Sequence, residues 1–203
     1  MVRINNRPIR WAVILGCSVV LAALGLSISA TGQNAGNDVV PTVTFAPERS
    51  TMTGDIVYRS GTMLVRRHHD VFATIRTSGL QPGNVYTAWF GIFNNPEQCA
   101  TDPCSPADLS NPDVQGSLVN LGGRLVGPDG TAEYAEVRAV GDATNAFLGP
   151  GLLNPRGAQI HLAVRDHGPA LPDPTAFAQQ LTMFNGGCPP NACVTIQAAV
   201  HKP

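Results

Sequence analysis

The chain has a single lysine, Lys202, and only 13 % of its 203 residues are charged. A lysine-poor protein of formal charge −1 lacks the basic footprint that nucleic acid or an anionic membrane surface requires. Motifs for nucleophilic, zinc-hydrolase or nucleotide chemistry are also missing: there is no Gly-x-Ser-x-Gly, no His-Glu-x-x-His and no Gly-x-x-x-x-Gly-Lys. Ser60, Ser78, Ser105, Ser110 and Ser117 fall in turn-like or strand-edge contexts, with no histidine and acid assigned to them. Nothing in the chain locates a carboxylate pair for glycoside hydrolysis. Long helical patterns are scarce because Gly and Pro supply 38 of 203 residues, which favours many turns. Internal repeats and low-complexity tracts are absent.

The one long hydrophobic run lies at the start. Arg3, Arg7 and Arg10 precede Trp11–Ile28, 18 residues interrupted only by Ser and Cys, and small residues follow. This order reads as a signal peptide over 1–32, cut after Ser29 or after Gly32; the run also has the length of a retained membrane anchor. Cys17 follows only six apolar residues, too few for a lipoprotein signal. Without residues 1–32, Lys+Arg falls from 13 to 10 against 14 Asp+Glu, a formal charge of −4. The expected location is extracellular or periplasmic. The expected layout is a flexible linker over 33–47 and a single domain over 48–203.

Cys99, Cys104, Cys188 and Cys193 remain after the leader, in two pairs of equal spacing. An even number in an exported chain implies disulfides. Four cysteines allow three connectivities, and the close spacing favours two local bridges around Pro-containing loops. A four-cysteine zinc site has tolerable spacing but suits an oxidising compartment poorly.

Beyond residue 47 the pattern is period-two alternation or short apolar runs bounded by Gly, Pro, Asn and Asp. Strands are expected at 55–58, 63–77, 85–93, 116–121 and 157–165, and at 194–201. Val85–Phe93 is the most apolar segment and reads as a central strand covered on both faces. Arg124–Val126, the turn Gly127-Pro128-Asp129-Gly130 and Thr131–Ala139 read as a β-hairpin. One short helix is expected from Asp173 to about Phe184, opened by Pro174 and ended by Gly186-Gly187. The fold class is mainly β: an antiparallel, Greek-key-like β-sandwich of seven or eight strands with one short helix near the C-terminus, with a barrel as second choice.

Val85-Tyr-Thr-Ala-Trp-Phe-Gly-Ile-Phe-Asn-Asn-Pro-Glu-Gln-Cys99, Gly157-Ala-Gln-Ile-His-Leu-Ala-Val-Arg-Asp-His-Gly-Pro169 and Gln180-Leu-Thr-Met-Phe-Asn-Gly-Gly-Cys188 resemble a set of exported bacterial proteins of unknown function. That resemblance implies a secreted β-sandwich and no activity. Gly79-Leu80-Gln81-Pro82-Gly83 leading into Val85–Phe93 is distantly similar to chordin-type (CHRD) and copper/zinc superoxide dismutase sandwiches. Tyr86-Thr87-Ala88-Trp89 stands where the dismutase places paired histidines, so its ligand set does not carry over.

Arg165 and His167 share a strand face about 7 Å apart and are ligand-binding candidates for an anion. The competing structural use has Asp166 or His167 capping the turn at Gly168-Pro169 and Arg165 paired with Glu133 or Glu136. Asn94 and Asn95, beside the Cys99–Cys104 loop, are further ligand-binding candidates, because rigid loops suit recognition. His161, His167 and His201 are the metal candidates, with His69 a further one; His68 and His69 would face opposite ways on a continuous strand. The main expectation is a secreted or surface-tethered, non-enzymatic protein that binds an envelope component or partner protein through its disulfide-closed loops, with no cofactor. The alternative is a redox or hydrolytic enzyme with copper or zinc held by histidines. No nucleic-acid partner is expected, and membrane contact only through an uncleaved N-terminal segment.

Overall fold

A computed structural model describes residues 37–44 and 54–203; the leader and parts of the expected linker lie outside the described residues. The strands are β1 (Asn37–Thr44), β2 (Ile56–Arg66), β3 (Asp70–Thr77), β4 (Asn84–Phe93), β5 (Gly116–Leu125), β6 (Ala132–Ala139), β7 (Ala146–Leu148), β8 (Gln159–Pro169) and β9 (Val194–His201). One α-helix, α1 (Pro174–Thr182), stands between β8 and β9, and two 3-10 turns cover Pro96–Gln98 and Pro106–Ser110. Mainly β, antiparallel and with one helix, the fold has the expected class. It differs in layout: the nine strands form one sheet in the order β6-β3-β2-β1-β9-β8-β4-β5-β7, curled into a half-barrel, nearer the second-choice barrel than the expected sandwich of seven or eight strands in all.

Curling follows from the side-chain pattern. Leu64, Ala73, Ile75, Tyr86, Phe90, Ile92, Val119, Ile160 and Leu162 all turn to the concave side and form one buried cluster. Curling the sheet around this cluster removes its apolar surface from water without a second sheet. The expected hairpin of residues 124–139 does not form. Gly127–Gly130 does make its turn, but β6 leaves β5 to pair with β3. Its connection is bonded instead to the β3–β4 connection, through Leu80 N–H to Gly130 O and Gly83 N–H to Val126 O. Side chains bridge the β5–β6 gap, with Arg124 Nε donating to Glu133 O and Arg138 Nη2 to Asn120 O.

The 63–77 segment is two strands. Residues 67–69 form a tight turn closed by Arg67 N–H to Asp70 O, so His68 and His69 sit together on it, ring centroids 4.3 Å apart, and not on opposite strand faces. The segment expected to be a linker contains β1, which lies between β2 and β9 and joins the two halves of the sheet. Two of its three inward side chains are polar, which hid its strand character: Thr42 is buried against Gln197, and Asp38 accepts a 2.7 Å bond from His201 Nδ1, with Val40 between them.

β4 is buried along nearly its whole length, as its composition requires. Tyr86, Ala88, Phe90 and Ile92 enter the concave core. The opposite face has two covers. Trp89 meets Phe184 edge-on at 5.1 Å, just beyond α1, while Phe93 packs with Cys104 and Val114 of the first disulfide loop region. The helix begins as expected, with Asp173 accepting from Ala176 N–H and Pro174 in the first turn. It presses on β5 at Gly123, where a Cβ would lie 2.2 Å from Leu181 O, so only glycine fits.

Asp38→Ala should destabilise the protein by about 1–3 kcal/mol, because the buried His201 Nδ1–H would lose its acceptor. Urea unfolding midpoints measure this. A midpoint unchanged from wild type would mean that β1 is not part of the folded sheet.

Candidate functional site

Strand register fixes where the two disulfide loops lie. Phe93 pairs with Gln159 and Asn84 with Pro169, while Val194 pairs with Asp166. The Cys99–Cys104 loop therefore follows one end of β4, and the Cys188–Cys193 loop adjoins the other. Ten residues of strand at about 3.3 Å each put roughly 30 Å between those ends, so the loops form no joint surface. Both bridges are the local pairs, with Cα–Cα separations of 5.3 and 5.8 Å.

At the first end, Asn94 is buried and fully used. Its amide donates to Gln115 O and Gly151 O, and its carbonyl accepts from Leu153 and Asn154 N–H. Asn95 donates to Asp113 O at 2.8 Å. These side chains hold the 94–115 segment in place. A shallow recess beside Cys99 is bounded by Glu97, Asp102 and Lys202, and Lys202 is already paired with Asp102 at 2.7 Å.

At the second end, Arg165 and His167 do face the same way, but they grip the chain itself. Arg165 donates through Nε to Phe184 O at 2.7 Å and through Nη2 to Asn185 Oδ1 at 3.1 Å, and its guanidinium stacks 4.0 Å over the Phe184 ring. Neither Glu133 nor Glu136 is its partner; those acids meet Arg76 and Arg138. Asp166 makes the turn, accepting from Gly168 N–H. His167 is wholly buried. Its Nδ1 lies 2.9 Å from Gly186 O, which can only accept, so the proton sits on Nδ1. Nε2 then accepts from Thr87 Oγ1 at 2.7 Å, and that hydroxyl accepts from Trp89 Nε1–H at 2.6 Å. Cys193 Sγ lies 3.3 Å from the same Nδ1.

The three candidate metal histidines do not converge. His201 pairs with Ile160 and faces the concave core, whereas His161 pairs with Val200 and faces the opposite side, so the sheet separates them. His161 and His167 share a face, but the length of strand between them separates them by about 20 Å. His161 Nε2 accepts from Gln159 at 2.7 Å and its ring packs on Phe93. His201 lies between Asp38 and Thr62 Oγ1, the order of an acid–imidazole–hydroxyl triad, but both His201 and Thr62 are buried in the core and the set latches β1 to its neighbours. A copper or zinc site of His161, His167 and His201 is therefore not built. His69 lies on the exposed β2–β3 turn beside His68. Among the described residues, His167 with Cys188 and Cys193 is the only grouping of three metal-type donors, and there the sulfurs are bonded to each other.

A groove of about 700 Å³ runs along β2, β3 and β6, and Arg124 reaches it from β5. Val39, Met63 and Thr74 are among the residues that line it, with Arg59, Arg76, Arg124 and the single acid Glu133. Glu133 neutralises only Arg76, through a 2.8 Å contact to Nε. Arg124 stacks on Tyr134, and its Nε donates to Glu133 O. Arg59 sits in a bulge: Pro41 pairs with Gly61 but Val43 with Ile56, and Arg59 takes φ +59. Bulges of this kind re-aim a side chain, and non-glycine residues held at positive φ cluster at functional sites. The alternation of β3 placed Arg76 on its outer face; nothing local marked Arg59 or Arg124.

Comparison with protein-family models, curated proteins and solved structures finds no match.

Burial pushes the His161 pKa down to about 3, with the His201 charge adding to the effect. His167 and His201 are also lowered, in each case mainly by burial; hydrogen bonds to Gly186 and Asp38 respectively offset part of it. Each histidine thus stays neutral in the folded chain at a pH where the unfolded chain binds a proton. Stability from this source is complete above about pH 6.5 and is lost as pH falls toward each folded pKa, at up to about 1.4 kcal/mol per pH unit per histidine. Urea midpoints should fall from pH 7 to pH 4, and His161→Leu should fall less steeply. An equal slope in the variant would show that His161 titrates normally.

Proposed function

We propose that the protein is an exported, non-enzymatic binding protein that takes an anionic, extended component of the cell envelope into the groove of Arg59, Arg76 and Arg124. The carrying observation is that three arginines and a single carboxylate line one groove together with Val39 and Met63, and that the carboxylate contacts only Arg76. Guanidinium is the group best suited to carboxylate or phosphate oxygens, since it offers paired planar donors. Two disulfides fit an oxidising compartment, and among the described residues no helix is long and apolar enough to cross a membrane. Export itself rests on the leader pattern of residues 1–32.

The groove replaces the disulfide loops as the binding surface. Asn94, Asn95 and Arg165 are engaged within the fold, and the loops lie at opposite ends of it. A groove also suits a polymer better than a compact ligand.

Titration with polyuronate and polyphosphate oligomers tests this. Binding should weaken with salt, and replacing Arg59, Arg76 and Arg124 together with Ala should reduce affinity about 10–100-fold without lowering the urea midpoint. Affinity unchanged in that variant would remove the groove from consideration, and no binding of either polyanion at low salt would remove the function.

A further inference from the structure

We propose that Cys188–Cys193 is a thiol–disulfide exchange centre whose substrate is an external dithiol, with His167 stabilising the Cys193 sulfur as it departs. The two bridges of this protein have different surroundings. Cys104 is buried, and the polar group nearest its sulfur is Pro96 O at 3.7 Å, an acceptor with no proton to give. Cys188 and Cys193 are half-buried on a loop, and Cys193 Sγ lies within hydrogen-bond reach of an imidazole N–H.

That N–H is held in position. Gly186 O and the Cys193 sulfur lie on the Nδ1 side, and Thr87 occupies the Nε2 side with a hydroxyl that is itself held by Trp89. The tautomer is fixed with its proton on Nδ1, shared between Gly186 O at 2.9 Å and the Cys193 sulfur at 3.3 Å. Exchange rates rise when the leaving thiolate is stabilised, and a neighbouring donor does this most directly.

In the first step a thiolate of the dithiol attacks Cys188 Sγ, a mixed disulfide forms, and the Cys188–Cys193 bond breaks with its electron pair on Cys193. His167 Nδ1–H then donates to that thiolate. In the second step the other thiol of the reagent, deprotonated, attacks its own sulfur in the mixed disulfide and leaves as a cyclic disulfide, while Cys188 takes up the proton. The dithiol is oxidised by two electrons and the protein bridge reduced by two. Gly186 O, 3.7 Å from Cys188 Sγ, is ready to accept from the new thiol. Both sulfurs of the reduced form thus have a partner already in place. Thr87 and Trp89 act as positioning residues, and His167 touches the reacting atom.

Oxidised full-chain protein would be treated with dithiothreitol, sampled by acid quench and alkylation, and mapped by mass spectrometry; glutathione in place of dithiothreitol traps the mixed disulfide. Cys188–Cys193 should open at least tenfold faster than Cys99–Cys104, and glutathione should be found on Cys188. His167→Leu should slow the opening of this bridge about tenfold and leave the other unchanged, whereas His167→Asn, whose amide N–H takes the place of Nδ1–H, should retain most of the rate. Equal rates for the two bridges in wild type, or glutathione on Cys193, would overturn the proposal. So would an unchanged rate in a His167→Leu protein with native circular dichroism. The wild-type measurements decide the matter even if a variant fails to fold.

Discussion

β4 is apolar on both faces, and a strand of that kind must be covered twice. Its concave side is met by curling the sheet, which gathers Phe90, Ile92, Ile160 and Leu162 with Leu64 and Ile75 from the far strands. Its convex side cannot be met that way. There the chain lays down two separate covers: Phe184, beyond α1, over Trp89, and the 94–115 segment over Phe93. Neither cover is rich in large apolar residues, and each is closed by a disulfide of five-residue separation. Cross-linking lowers the entropy of the open chain and so helps hold covers whose own burial is small.

Polar groups near this strand are consumed by the same need. A cover lying on a sheet brings backbone carbonyls with it, and each needs a donor once water is excluded. Arg165 serves Phe184 O, His167 serves Gly186 O, and Asn94 serves both the donors and acceptors of its loop. Residues that look like a binding constellation in sequence are thereby the fasteners of the covers. Two features lie apart from these fasteners: the arginines of the groove along β2, β3 and β6, and the sulfur pair that shares an imidazole proton with Gly186 O.

Much of the fold was legible. The apolar run at 85–93, the alternation at 157–165 and 194–201, and the Asp173-Pro174 helix start each encode local geometry in a few adjacent side chains. Less legible was β1, whose inward face carries Asp38 and Thr42 on either side of Val40, because two of its inner neighbours, His201 and Gln197, are polar. The β2–β3 turn at Arg67-His68-His69 carries neither Gly nor Pro. The Gly127–Gly130 turn has its expected chemistry, yet turn residues specify only the reversal of the chain and not which strand is paired next. The site was less legible still, since Arg59 is aimed by a bulge defined across two strands.

By itself the sequence determined the composition of the covers: which strand is apolar on both faces, which cysteines are close enough to bridge locally, and where the single helix begins. These are local matters, set by side-chain size, periodicity and chain stiffness within about ten residues. Tertiary structure alone decided which face each histidine occupies, that the two disulfide loops sit about 30 Å apart, and that Cys193 rather than Cys104 lies against an imidazole. Those outcomes depend on sheet register, where a shift of one residue moves every side chain to the opposite face.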